Sequence, residues 1–181
     1  MFARRSAVRL GYQPALDGVR ALAIAPVVAL HAFGWPSEGS LGVDLFFVLS
    51  GFLITVLLLE EAASRGTFSL RRFWRRRAAR LVPGLLLMLA VYVIFSRGSH
   101  PWAVAFGATY TANVATVIDP NAIPWSLGHL WSLAQEEQFY LLWPVILLMF
   151  LRTRPDLLPP VIIGLVAAVV VEKIALLAAG A

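Results

Sequence analysis

A polytopic bundle of transmembrane α-helices is the fold class this sequence predicts, and three observations predict it. Hydrophobic residues fill 60% of the 181 positions and charged residues 14%, against about 45–50% and about 25% in ordinary globular chains. Mean hydropathy is +0.79. The apolar residues fall in continuous runs, not in the alternating ten-residue segments of a membrane barrel. A soluble domain of this size has too little interior to hide so much apolar side chain, and disorder requires a far more polar chain.

The elements follow in chain order. Residues 1–13 form a polar start with Arg4, Arg5 and Arg9. The first span is expected from Leu16 to Trp35, interrupted by Asp17, Arg20 and His31. A basic front and an apolar middle resemble a signal peptide, but no small-residue cleavage pattern follows and further apolar segments do. It is therefore read as a retained helix. After a Gly/Ser/Pro loop from Pro36 to Leu41, the second span runs from Val43 to Leu59, closed by Glu60, Glu61 and Arg65. An Arg-rich cytoplasmic loop is expected over 61–80. The third span, Leu81 to Phe95, is shorter than the roughly 20 residues needed to cross untilted. Its start can reach back into the Arg segment, whose long side chains snorkel.

Trp102 to Ile118 is polar for a lipid-facing span, with Thr109, Tyr110, Thr111, Asn113 and Thr116. A Pro/Asn loop, Asp119 to Gly128, leads to a clear helix from Leu130 to Leu151. A basic turn, Arg152 to Asp156, precedes the last span, Leu157 to Ala179, which contains Glu172 and Lys173. No repeat or linker divides the chain, so residues 1–181 read as a single domain.

Net charge is +5 and the pI is about 10.4. The distribution speaks for a membrane and against nucleic acid. Seven of the fifteen basic residues lie between Arg65 and Arg80, with no acid in that interval. Lys and Arg collect on the cytoplasmic side, which places the N-terminus and the 61–80 segment there in a multi-pass protein of the inner or plasma membrane. Arg152 and Arg154 join them if 102–118 is re-entrant or interfacial, giving five spans. If 102–118 crosses, there are six.

Ionisable groups inside spans usually face a bundle interior or a watery cavity. Arg20 and His31 are eleven residues apart, on one helical face and about 16 Å apart along the axis. Asp17, three residues before Arg20, is expected to pair with it. Asp44, Gly51 and Thr55 share a face of the second span, where Ser50 and Gly51 are read as packing residues. His129, Ser132, Glu136 and Tyr140 form a polar stripe on an apolar helix, with Glu137 beside it. A buried His with a buried Glu can serve as a general base. The Arg-rich segment has three readings: topology alone, an anionic-lipid patch, or a phosphorylated-ligand site using Arg forks. There are no cysteines, so thiolate metal sites and cysteine nucleophiles are excluded. The three histidines lack ligand spacing, and no metal is expected.

Four ordered blocks, LDGVRALAIAPVVALH, GVDLFFVLSGFLIT, RRRAARLVPG and HLWSLAQEEQFYLLWP, resemble the acyltransferase-3 family of membrane O-acyltransferases. The resemblance covers about residues 14–150. It implies transfer of an acyl group, commonly acetyl, from acyl-CoA as co-substrate to a hydroxyl of an extracytoplasmic acceptor such as a cell-envelope polysaccharide. No permanently bound cofactor is implied. The family's Arg-x10-His motif falls on Arg20 and His31, its Arg-x-x-Arg element on Arg77 and Arg80, and its Trp-Ser-Leu-x-x-Glu block on Trp131, Ser132, Leu133 and Glu136. The roles implied are His31 and Glu136 as catalytic residues, and Arg20, Arg77 and Arg80 as donor-binding. Asp17, Asp44, His129 and Ser132 are supporting. Family members form a larger bundle, so the chain is expected to be an incomplete, N-terminal half, completed by a C-terminal half or a partner subunit. The alternatives are a non-enzymatic transporter or lipid-binding component, or an inactive truncated paralogue.

Overall fold

A computed structural model describes residues 13–33 and 40–178. All regular structure among the described residues is helical: α1 (Pro14–Phe33), α2 (Ser40–Arg65), α3 (Leu70–Ser96), α4 (Pro101–Ala108), α5 (Ala112–Ile118), α6 (Leu130–Thr153) and α7 (Leu158–Ala178), with short 3-10 turns at Trp125–Leu127 and Pro155–Leu157. The chain divides into two compact units, Met1–Leu142 and Trp143–Ala181, the boundary falling within α6.

In the first unit α1 packs on α2 through a close backbone approach. A Cβ placed on Gly42 would lie 2.2 Å from the carbonyl oxygen of Ala23, and Ala23 is itself buried. Only glycine permits that separation, the small-residue device of membrane helix pairs.

The expected Arg-rich loop is a correction. Residues 61–65 complete α2 and residues 70–80 open α3, leaving only 66–69 between them. Arg, Leu and Ala are good helix formers, and Ser69 caps the helix by accepting from the backbone N–H of Arg72 at 3.3 Å. The third apolar segment is thereby lengthened to 27 residues, about 40 Å of helix. α3 ends at Arg97, whose left-handed φ of 52° is followed by a bond from the Gly98 N–H to the Val93 carbonyl, a Schellman-type stop.

Residues 102–118 do not form one helix. α4 and α5 are 8 and 7 residues long, about 10–12 Å, and neither can cross a bilayer. The chain turns at Tyr110, a bulky residue at φ 54°. The amide of Gln138 holds this turn by donating to the Tyr110 carbonyl at 2.9 Å. That amide also makes a two-way pair with Asn113 on α5, at 2.9 and 3.0 Å. Leu85 and Leu89 of α3, Ala103 of α4, Ala112 and Ala115 of α5, and Leu130 of α6 close one buried apolar core.

The second unit holds the end of α6, the turn at Pro155–Leu157 and α7. The side chains of Ile163, Val166, Val170 and Ile174 on α7 are exposed. Three stretches among the described residues are long and apolar enough to cross a membrane: Gly42–Arg65, Leu70–Ser96 and Pro155–Glu172.

Candidate functional site

The densest polar arrangement in the first unit lies where α2, α3 and α6 meet. Arg77, two turns into α3, sends its Nε to Glu137 Oε1 and its Nη2 to Glu136 Oε1, each at 3.3 Å. The guanidinium also sits over the Tyr140 ring, 3.0 Å from its centroid. Tyr140, one turn after Glu136, donates its hydroxyl to Glu136 Oε1. From α2, Ser50 donates to the same oxygen at 3.3 Å. One carboxylate oxygen therefore takes three donors from three helices. Arg77 is 20% exposed, Glu136 12% and Glu137 13%, so solvent screens these charges far less than a surface pair. Two carboxylates face one guanidinium, a formal balance of −1.

The local sequence explains the geometry. Glu136 and Tyr140 are four apart and share a helix face. Gly51 of α2 faces the Phe139 ring, where even a Cβ would make only an ordinary contact at 3.6 Å, and the adjacent Ser50 reaches Glu136. Pro144 has no N–H, so the Tyr140 carbonyl loses its helical donor. The indole Nε1 of Trp74 takes that role from α3 at 3.1 Å. Trp74 and Arg77, three apart, thus clamp α3 to α6.

The other residues singled out from the sequence are dispersed. Arg20 lies on α1 with its Nε buried and without a hydrogen-bond partner. The expected Asp17–Arg20 pair is a correction, since no ion pair joins them among the described residues. Asp17 is exposed in the first turn of α1, where the helix N-terminus already favours a carboxylate. His31 falls within α1, but its side chain lies outside the described residues. Arg80 and Asp44 are exposed. His129 is exposed just before α6, and Ser132 donates back to its carbonyl at 3.0 Å instead of joining the cluster.

Sequence reasoning passed over three contributors. Ser50 was read as a packing residue, yet it is 1% exposed and hydrogen-bonded to Glu136. Trp74 and the Asn113–Gln138 pair carried no local signal beyond a proline four residues after Tyr140 and an amide next to the paired acids, off the polar stripe. Glu61 likewise gathers Arg65, Arg72 and Arg76 at 3.4–3.5 Å, joining the end of α2 to the start of α3. Among the described residues no group of three His, Asp or Glu could hold a metal.

The profile of a family described as an acyltransferase domain matches residues 13–178, the stretch that contains every element described above. The chain belongs to the acyltransferase-3 family. It is 40% identical over 177 residues to the peptidoglycan O-acetyltransferase OatA of Listeria monocytogenes, covering 85% of this chain and 27% of that protein. It is 39% identical over 158 residues to the O-acetyltransferase OatA of Staphylococcus aureus strain NCTC 8325, covering 80% of this chain and 26% of that protein. The chain spans about a quarter of the length of these curated relatives. No solved structure matches it.

Proposed function

We propose that this chain forms membrane-embedded acyltransferase machinery, moving an acetyl group from acetyl-CoA to a hydroxyl of an extracytoplasmic carbohydrate such as peptidoglycan. The observation that carries the reading is Arg20. A guanidinium on an apolar helix with a buried, unpartnered Nε is costly unless an anion completes it. The phosphates of an acyl-CoA supply that anion, and Arg forks suit them. The acetyl group and the carbohydrate acceptor come from the names of the relatives.

In this reading Arg20 and the exposed Arg80 hold the donor. Arg77 is already claimed by Glu136 and Glu137, so it positions helices and does not grip phosphate. Glu136, with three donors on one oxygen, holds Arg77, Ser50 and Tyr140 together rather than acting as a free base. His31, about 16 Å along α1 from Arg20, takes the proton of the acceptor hydroxyl. The acceptor oxygen then bonds to the acyl carbon, the C–S bond breaks, and the CoA thiolate leaves to be protonated. α1 and α6 join the three apolar stretches as spans, giving five, with α4 and α5 re-entrant. The N-terminus and the 152–154 turn are cytoplasmic.

The test is acetyl-CoA-dependent labelling of envelope material by the whole protein. His31→Ala is expected to abolish labelling with membrane insertion intact, and Arg20→Ala to weaken donor binding. Full labelling by His31→Ala removes that residue from the mechanism, and unchanged donor affinity in Arg20→Ala removes the site.

A further inference from the structure

The seven arginines of 65–80 are not equivalent. Taking Arg71 as the origin and about 100° per residue, Arg72 and Arg76 point at about 100–140°, where Glu61 of α2 takes both. Arg77 and Trp74 point at about 240–300°, where α6 takes both. Arg80, at about 180°, lies on the arc between those two directions. Arg71 and Arg75 lie at about 0–40°, turned away from α2 and α6 alike. Both are exposed, and neither has an ion-pair partner among the described residues.

The same face continues along α3 as apolar surface. Val82 and Leu86 return to about 20–60° and are 36% and 56% exposed. Leu86 is eleven residues beyond Arg75, about 16 Å, which matches one leaflet of a hydrocarbon core about 30 Å thick. α3 is also one of the stretches long and apolar enough to span. Two unneutralised guanidiniums one turn apart therefore stand at the mouth of a lipid-length apolar strip.

We infer that Arg71 and Arg75 hold the phosphate of an anionic phospholipid whose acyl chain lies along Val82 and Leu86. Arg forks suit phosphate oxygens, and basic residues beside a span attract acidic headgroups. The site is separate from the donor reading, because it lies on the face of α3 turned from α2 and α6.

The experiment is native mass spectrometry of the purified chain in detergent with added phosphatidylglycerol or phosphatidylcholine. Wild type is expected to retain phosphatidylglycerol in preference to phosphatidylcholine. The double variant R71Q/R75Q is expected to lose that retention about tenfold or more, while R71K/R75K keeps it. R72Q/R76Q, which removes the two Glu61 partners on α3, is expected to keep it as well. Equal retention of both lipids, or wild-type retention by R71Q/R75Q, overturns the proposal. So does loss of retention in R72Q/R76Q alone. Displacement of the lipid by adenosine 3′,5′-bisphosphate also overturns it, because the occupant is then a soluble phosphate.

Discussion

The indole N–H of Trp74 donates to the carbonyl oxygen of Tyr140 at 3.1 Å, filling an acceptor that Pro144 leaves open in the middle of α6. The bond ties a helix that begins with arginines to one that carries the acid cluster. It does so one turn from where Arg77 meets Glu136 and Glu137. Trp74→Phe keeps the aromatic bulk and removes the donor. Stability is expected to fall by about 1–3 kcal/mol, the cost of an unsatisfied buried acceptor, read from thermal unfolding in detergent. Adding Pro144→Ala is expected to recover part of the loss, because the new backbone N–H reaches the same carbonyl. Equal loss in the single and double variants removes this account.

Breaking the Arg77 pairing costs more than removing it whole. Arg77→Met alone leaves two part-buried carboxylates without a cation, and about 3–5 kcal/mol of destabilisation is expected. Arg77→Met combined with Glu136→Gln and Glu137→Gln is expected to be milder than the single change, since no uncompensated charge remains. Arg77→Lys does not rescue, because a single ammonium lacks the fork that meets two carboxylates and stacks on Tyr140. Additive losses in unfolding measurements contradict the coupling.

Two glycines separate close approach from helix propensity. Gly42→Ala places a Cβ 2.2 Å from the Ala23 carbonyl oxygen. The backbone of α1 or α2 must shift, and a loss of folded yield or at least about 1–3 kcal/mol is expected. Gly84 meets nothing within 4 Å, so Gly84→Ala is expected to be neutral or to stabilise α3 by up to about 1 kcal/mol. Comparable effects of both substitutions on unfolding exclude the steric explanation.

The break between α4 and α5 has a topological consequence. With neither helix able to cross, reporters fused after residues 120 and 154 are expected on opposite sides of the membrane, the latter in the cytoplasm. Asn113→Ala removes the amide pair with Gln138 and is expected to raise hydrogen exchange across 109–118 ahead of α3. A reporter after 154 that reads outside ends the five-span arrangement.

Helical class, membrane location and family were legible in the sequence alone, because each depends on local content. Continuous apolar runs report lipid exposure, and the ordered blocks around Arg20, His31, Arg77 and Glu136 report ancestry. The i, i+4 spacing of Glu136 and Tyr140 placed both on one face correctly. What the tertiary structure decided is partnership. A run of arginines looks uniform in sequence, yet Arg72 and Arg76 turn to Glu61, Arg77 turns to Glu136 and Glu137, and Arg71, Arg75 and Arg80 pair with no acid among the described residues. Likewise Arg20 does not take Asp17, three residues away, and Ser50 reaches Glu136, 86 residues away. A helix carries its side chains around at about 100° per residue, so each partner depends on how α2 and α6 are rotated against α3. No local stretch of the sequence encodes that rotation.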